Sequence, residues 1–172
     1  MTELAIRRAE PRDLDPLARL YDYYVVQTPI TFDLEPFGTE GRRSWLEGFG
    51  ETGRHQLFVA EGPTGVLGYA ASQTFRPKAA YQSSVETSIY IEPASHRQGF
   101  GSHLYQALFA ALADEDVHRA YAAITLPNEA SIALHERFGF RSVGTLHEVG
   151  HKQGRYWDVE WYEKTMDAAP GG

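Results

Sequence analysis

Apolar side chains recur with the spacing of a helix in four parts of the chain. A first helix is predicted to begin after Asp13, because one face collects the residues Leu14, Leu17, Tyr21, Tyr24 and Val25. A second, shorter helix is predicted over residues 39–49. A third opens at residues 99–102, and the face that must pack against a sheet carries Leu104, Leu108 and Leu112. The fourth spans residues 129–138 and ends at Gly139, a residue typical of helix C-termini.

Short apolar runs between these helices predict seven strands. Residues 57–61 and 66–72 are joined by a Gly-Pro-Thr-Gly turn, which indicates a hairpin. Residues 85–92 alternate, so that one face holds Val85, Thr87, Ile89 and Ile91, and the other holds Glu86, Ser88 and Tyr90. The other predicted strands are 4–8, 120–126, 141–149 and 156–163. This order predicts a mixed α/β (α+β) fold whose sheet is antiparallel at the front and partly parallel at the centre.

Composition narrows the class of protein. The 172 residues suit one domain, which we place at residues 1–166, followed by a flexible tail at 167–172. Zero cysteines exclude a disulfide framework, a thiolate zinc site and a cysteine nucleophile. A net charge of −7 disfavours a protein that binds nucleic acid through phosphates. Since no apolar run could span a membrane and the start is unlike a signal peptide, we expect a cytoplasmic location.

The segment around residues 96–102 combines a strand, a tight glycine turn and the start of a helix. Gly99 and Gly101 let the backbone approach a ligand closely, and the helix N-terminus attracts an anion. Arg97 and a protonated His96 add positive charge, so the pattern suits a phosphate or diphosphate. The alternative is that the glycines only shape a turn. A dinucleotide fingerprint is incomplete, because Leu104 stands where the third glycine would be.

A second polar cluster lies on the helix at residues 129–138. Asn128 is a good N-cap, and Ser131 and His135 follow on the same side of the helix. Such a stripe suits the lining of a ligand site. It equally suits a cap followed by a half-buried histidine, and spacing alone favours that second interpretation.

Together these two segments resemble the GNAT superfamily of acetyl-CoA-dependent N-acetyltransferases. The turn supplies Gly99-Phe100-Gly101, and the later helix supplies, at matching offsets, Asn128, Ser131, Leu134, His135, Gly139 and Phe140. More narrowly, the chain resembles the phosphinothricin and methionine sulfoximine acetyltransferase group. The matching pieces are Tyr21-x-x-Tyr24-Val25 with Thr28-x-x-Thr31-Phe32, Val85-Glu86-x-Ser88-x-Tyr90, Pro127-Asn128-x-x-Ser131-Ile132-x-Leu134-His135-Glu136 and Gly150-x-Lys152-x-Gly154-x-x-x-Asp158-Val159.

The resemblance covers roughly residues 4–164 and implies a fold and an activity. The implied fold is the acyl-CoA N-acyltransferase fold, a central twisted mixed sheet of six to seven strands flanked by about four helices. The implied activity moves the acetyl group of acetyl-CoA directly to the amine of a small amino-acid-like substrate, without a metal, in a homodimer. Two alternatives stay open: acetylation of another amine such as a protein N-terminus, and a CoA-binding regulatory module without catalysis.

The resemblance also assigns roles to individual residues. Glu86 is the candidate general base, against the alternative of an ion-paired or edge-strand glutamate. His135 is the candidate acid or proton relay, against the alternative of a core histidine. The predicted coenzyme contacts are Ile89, Tyr90, Ile91, His96, Arg97, Gln98, Gly99, Phe100, Gly101, Ser102, Asn128 and Ser131. His96 stands where the family usually has arginine or glutamine. The predicted contacts of the amine substrate are Phe32, Arg76, Lys78 and Tyr81.

Overall fold

A seven-stranded sheet forms the centre of the molecule in the computed structural model, which describes residues 4–166. Its strands are β1 (Ala5–Arg8), β2 (Leu57–Gly62), β3 (Gly65–Thr74), β4 (Ser84–Ile91), β5 (Arg119–Thr125), β6 (Arg141–Lys152) and β7 (Arg155–Thr165). They lie in the order β1-β2-β3-β4-β5-β7-β6, and β4 and β5 form the parallel pair. The predicted mixed α/β fold, antiparallel at the front with parallel pairing at the centre, is confirmed. The tail predicted at 167–172 lies outside the described residues.

The helices follow the predicted periodicity with one correction. They are α1 (Leu14–Gln27), α2 (Gly38–Gly41), α3 (Arg43–Glu47), α4 (Phe100–Leu112) and α5 (Glu129–Arg137). The single helix predicted over residues 39–49 is wrong, because α2 ends and α3 begins around Arg42. Two glycines weaken α2 as a helix former, and the Arg42 N–H closes a tight turn onto Thr39 O at 3.2 Å.

Each face of the sheet has its own hydrophobic core. On one face α4 and α5 cover the strands, and α4 contributes the fully buried residues Leu104, Leu108 and Leu112. On the other face α1 packs on β2 and β3 through a cluster that includes Leu17, Val59 and Tyr69. The alternation along β4 therefore sends Val85 and Ile89 towards α4, and Glu86 and Tyr90 towards the α1 side.

The parallel pairing of β4 with β5 is short. It ends at Glu86, which lies opposite Tyr121, although β4 continues to Ile91 and β5 to Thr125. Beyond this point the two strands diverge, and residues 87–91 are not paired with residues of β5. The divergence opens a cleft through the middle of the sheet.

Two further observations concern residues 4–166 as a whole. Within residues 4–166 no helix is both long and apolar enough to cross a bilayer. The same range contains no group of three or more His, Asp or Glu side chains arranged to hold a metal ion.

Candidate active site

The cleft between β4 and β5 has a volume of about 1100 Å³ and brings most of the predicted site residues together. One end is formed by the turn before α4, and the other by residues from the α1 side of the sheet. The predicted residues that line the cleft are Phe32, Glu86, Ile89, Tyr90, Ile91, His96, Arg97, Gly99, Phe100, Gly101, Ser102, Asn128, Ser131 and His135. One cavity in the fold is therefore lined by residues that are far apart in the sequence.

The turn before α4 has the geometry of an anion-binding loop. Arg97 and Gly99 both adopt left-handed backbone conformations, with φ of 64° and 82°. The N–H groups of Ser102 and His103 donate to Gly99 O, at 3.0 and 3.3 Å. Phe100 and Gly101 are the first two residues of α4. No helical carbonyl lies one turn before them, so their N–H groups have no partner inside the helix. A left-handed φ at a non-glycine residue marks a constrained turn, often at a functional site.

His96 holds this turn in place. Its Nε2 lies 3.0 Å from the Tyr24 hydroxyl and 3.1 Å from Ile91 O, and the Tyr24 hydroxyl also donates to Ile91 O at 2.6 Å. These contacts tie the turn to the end of β4 and to α1. The side chain therefore stabilises the turn while it also lines the cleft, and its predicted contact with the coenzyme stays a prediction. Gln98 is not among the residues that line the cleft; it is exposed, and its Nε2 donates to Ala94 O at 3.4 Å.

Glu86 is the last residue of β4 that pairs with β5, at the point where these two strands part. It lines the cleft and lies opposite Gln73 on the neighbouring β3. Burial raises the pKa of Glu86, and the positive charge of Arg76 opposes that rise. None of the ion pairs among the described residues includes Glu86, so the alternative of an ion-paired glutamate lacks support. A half-buried carboxylate with a raised pKa is a stronger base once it is ionised.

His135 has the environment of a satisfied core histidine. Its side chain is 3% exposed, and its Nδ1 lies 2.7 Å from Ser131 O, which can only accept a hydrogen bond. Nδ1 is therefore the protonated nitrogen, and Nε2 accepts from the Tyr105 hydroxyl at 2.8 Å. Burial lowers the pKa of His135, although the bond to Ser131 opposes the decrease. Both nitrogens are occupied inside the protein, and the acid role of His135 stays a prediction that this environment does not favour.

A His135→Gln variant is expected to test that environment through pH. Burial lowers the pKa of His135 in the folded protein. Below about pH 6.5 the unfolded chain therefore binds a proton that the folded protein does not bind, and the free energy of unfolding of the wild type falls. At pH 7.5 the variant should lose roughly 1–3 kcal/mol, because buried partners remain unpaired. Urea unfolding at pH 7.5 and pH 5.0 should give a difference between wild type and variant that shrinks at the lower pH. A constant difference would show that His135 does not titrate in this window.

The predicted substrate residues separate into two groups. Phe32 lines the cleft, in a loop that Lys152 anchors by donating from Nζ to Thr31 O at 2.6 Å. Arg76, Lys78 and Tyr81 do not line it. The guanidinium of Arg76 lies over the rings of Phe75 and Trp161, 4.8 and 5.6 Å from their centroids, and reaches Glu86 through its charge. Lys78 and Tyr81 are exposed.

The end of the cleft opposite the turn before α4, called the amine end below because the resemblance predicts the amine substrate there, contains residues that the sequence did not single out as site residues. They are Tyr21, Ile30, Thr31, Arg42, Trp45, Tyr69, Gln73, Leu146, Val149, Val159 and Trp161. Most are aromatic or aliphatic, and their spacing only indicates core packing. Trp161 and Val159 come from β7, and Leu146 and Val149 from β6, so this wall requires the hairpin at the far edge of the sheet. Only the three-dimensional fold brings these segments to one place.

Comparisons with known proteins agree with this geometry. Residues 6–161 match the family model described as the acetyltransferase (GNAT) domain. A phosphinothricin N-acetyltransferase of Streptomyces coelicolor is 54% identical over 95% of this chain and 97% of its own length. An L-methionine sulfoximine/L-methionine sulfone acetyltransferase of Pseudomonas aeruginosa is 31% identical over 95% of each chain. The structure of a phosphinothricin acetyltransferase from Sinorhizobium meliloti in complex with AcCoA superposes with a TM-score of 0.87, at 28% identity over 99% of this chain and 95% of the other.

The family assignment rests on agreement along almost the whole chain. The matched range runs from β1 to β7 and contains both the turn before α4 and the helix that follows Asn128. The strands β4 and β5, whose pairing ends at Glu86, both lie inside this range. The chain belongs to the GNAT family of acetyl-CoA-dependent N-acetyltransferases.

Proposed function

We propose that this protein transfers the acetyl group of acetyl-CoA to the amine of a small amino-acid-like substrate, of the phosphinothricin, methionine sulfoximine or methionine sulfone type. The observation that carries the proposal is the position of Glu86. It lies in the cleft where β4 and β5 part, between the anion-binding turn and a pocket that contains arginine and aromatic side chains. The names of the relatives from Streptomyces and Pseudomonas support the substrate class.

The coenzyme end of the cleft fits a diphosphate and its extended chain. The N-terminus of α4 offers main-chain donors, and Arg97 adds charge at the same turn. A Cβ at Gly101 would lie 3.1 Å from Leu134 Cδ2 and would narrow this end of the cleft. The unpaired edge of residues 87–91 can accept the amide-containing pantetheine arm in the manner of an added strand.

Direct transfer requires a neutral amine and a donor for the developing oxyanion. Glu86 in its ionised form removes a proton from the ammonium group, so that the nitrogen lone pair can attack the thioester carbonyl. A main-chain N–H on the open edge of β4 stabilises the negative charge that forms on the carbonyl oxygen. The tetrahedral intermediate then breaks its C–S bond and releases the CoA thiolate, which takes up a proton to give the free thiol. The acetyl group passes directly from one substrate to the other, and an acyl-cysteine intermediate is excluded because the chain has no cysteine.

Two alternatives are separated by one assay. Release of free CoA thiol is measured with acetyl-CoA and, in turn, L-phosphinothricin, L-methionine sulfone and a short peptide with a free N-terminus. The proposal expects turnover of the two amino acids well above that of the peptide. Faster turnover of the peptide would indicate an N-terminal acetyltransferase. Binding of acetyl-CoA without turnover of any amine would indicate a regulatory module.

A Gly150→Ala variant is expected to disturb the amine end alone. A Cβ at position 150 would overlap the ring of Phe32, which lines the cleft on a surface loop and must then move. We expect the KM for the amine to rise about 10-fold while the KM for acetyl-CoA is unchanged. In a Phe32→Ala background the same change should add little, and an equal effect in both backgrounds would contradict the contact.

We also propose a homodimer, on the basis of the edge strand β6. Val143, Leu146 and Val149 are 57%, 47% and 52% exposed on this strand. Leu146 and Val149 also line the cleft, so a second copy placed here would cover the amine end. Light scattering at micromolar concentration should give twice the mass of the chain, and a monomer would refute the proposal.

The cytoplasmic location stays a prediction.

A further inference from the structure

Arg42 is a buried cation at the amine end of the cleft, and one of its N–H groups has no acceptor among the described residues. It is 8% exposed and lies at the junction of α2 and α3, and it lines the cleft. Its guanidinium carbon is 4.1 Å from the ring centroid of Tyr21 and 3.7 Å from that of Trp45. Its Nε is fully buried and has no hydrogen-bond partner among the described residues.

The surrounding side chains do not neutralise this charge. None of the ion pairs within residues 4–166 includes Arg42. The nearby carboxylate of Asp33 accepts a hydrogen bond from the Tyr21 hydroxyl instead. Burial, and then that bond to Asp33, raise the pKa of Tyr21 to about 12, so its hydroxyl stays protonated. Contacts with aromatic faces stabilise a cation only in part, and a buried charge without an anionic partner is costly.

Arg42 and Glu86 lie on the same side of the sheet. Glu86 and Tyr90 alternate onto the α1 face of β4, where Tyr90 contacts the ring of Tyr21 at a centroid distance of 5.4 Å. Tyr21 in turn lies beneath the guanidinium of Arg42. The side chain that accepts the amine proton and the unpaired cation therefore belong to one pocket.

We propose that Arg42 binds an anionic oxygen group of the acceptor substrate, its carboxylate or its phosphinate, and thereby orients the amine towards Glu86. The inference rests on the proposed function and adds a residue that selects the substrate. The two aromatic rings fix the plane of the guanidinium, and a planar fork of N–H donors suits two oxygens of one anionic group. An anion at the terminal N–H groups supplies the negative charge that none of the ion pairs within residues 4–166 gives Arg42.

The test compares Arg42→Gln with Arg43→Gln as the matched control. Arg43 is the next residue, is exposed, pairs with Glu40 at 2.7 Å and does not line the cleft. In Arg42→Gln we expect the KM for L-phosphinothricin to rise about 10- to 100-fold, with an unchanged KM for acetyl-CoA. Arg43→Gln should match wild type. Arg42→Lys, which keeps the charge but loses the fork, should give an intermediate KM and serves as the variant of choice if Arg42→Gln does not fold.

L-Methionine sulfone, which has a carboxylate and a neutral side chain, identifies the group that Arg42 binds. A rise in KM for phosphinothricin alone assigns the phosphinate, and an equal rise for both substrates assigns the carboxylate. An unchanged KM for both in a folded Arg42→Gln protein overturns the inference. If wild type acetylates neither amino acid, the proposed function fails. Calorimetric titration of L-phosphinothricin into CoA-loaded wild type and Arg42→Gln then still tests Arg42, and equal affinities overturn its role.

Discussion

A Glu86→Gln variant is expected to lower kcat/KM for the amine by about 10²- to 10⁴-fold, the range of a lost general base. Glutamine has nearly the same shape and keeps the strand pairing with Gln73 and Tyr121, but it cannot take a proton. Affinity for acetyl-CoA should be unchanged, because the anion-binding turn is formed by residues 96–102 and does not include Glu86. Steady-state kinetics with both substrates, and calorimetry with acetyl-CoA alone, check this division.

The pH profile distinguishes a base from a residue that only shapes the cleft. Burial raises the pKa of Glu86, with Arg76 opposing, so the ionised form is lost at a higher pH than in an ordinary glutamate. In wild type kcat/KM should therefore decrease as the pH falls through that pKa. Glu86→Gln should lose this step, whereas Glu51→Gln, an exposed residue outside the cleft, should retain it. An unchanged profile in Glu86→Gln would remove Glu86 from the mechanism.

A Ser102→Asp variant is expected to weaken binding of acetyl-CoA by about 10- to 100-fold without destabilising the protein. Ser102 lies in the first turn of α4 and lines the cleft. A carboxylate there repels a diphosphate, and it also attracts Arg137, whose Nη1 now donates to the Ser102 hydroxyl at 3.1 Å. Calorimetric titration of acetyl-CoA measures the loss.

The Ser102→Asp variant should be at least as stable as the wild type, although it binds acetyl-CoA more weakly. An acidic residue in the first turn of a helix interacts favourably with the helix dipole, by about 0.3–1 kcal/mol. Ser102→Asn is the matched control, because asparagine has the shape of aspartate without its charge. We expect near wild-type affinity for Ser102→Asn and an equal or higher melting temperature for Ser102→Asp. Equal affinity losses in both variants would indicate a steric effect and would contradict an anion site at this turn.

Periodicity predicted the elements that build the cleft. The leucines of α4 and the alternation along β4 are local patterns, and packing against a sheet preserves them because each element buries one face. The turn before α4 was also predictable from its glycines, because glycine is favoured where the backbone has a left-handed φ, as it does at Gly99. These patterns fixed the strand on which Glu86 lies and the face that it shares with Tyr90.

The amine end was not predictable in the same way. Arg42 and Arg43 are adjacent and chemically identical, yet one is buried between aromatic rings and the other is exposed. Arg42 is the buried one because it packs against Tyr21 of α1 and Trp45 of α3, and the contact with the distant Tyr21 is not visible in local spacing. Lys78 and Tyr81 lie outside the cleft because of the path of the loop before β4. The hydrogen bonding of His135 involves Tyr105, which is distant in the sequence.

The central claim is that the diphosphate of acetyl-CoA binds the turn at residues 96–102 and its extended arm lies along the open edge of β4. Hydrogen–deuterium exchange of the wild-type protein, with and without saturating acetyl-CoA, tests it most directly. The account predicts slower amide exchange in two segments, residues 97–103 and residues 87–91. Unchanged exchange in both segments while the coenzyme is bound, or protection confined to another surface, would contradict it.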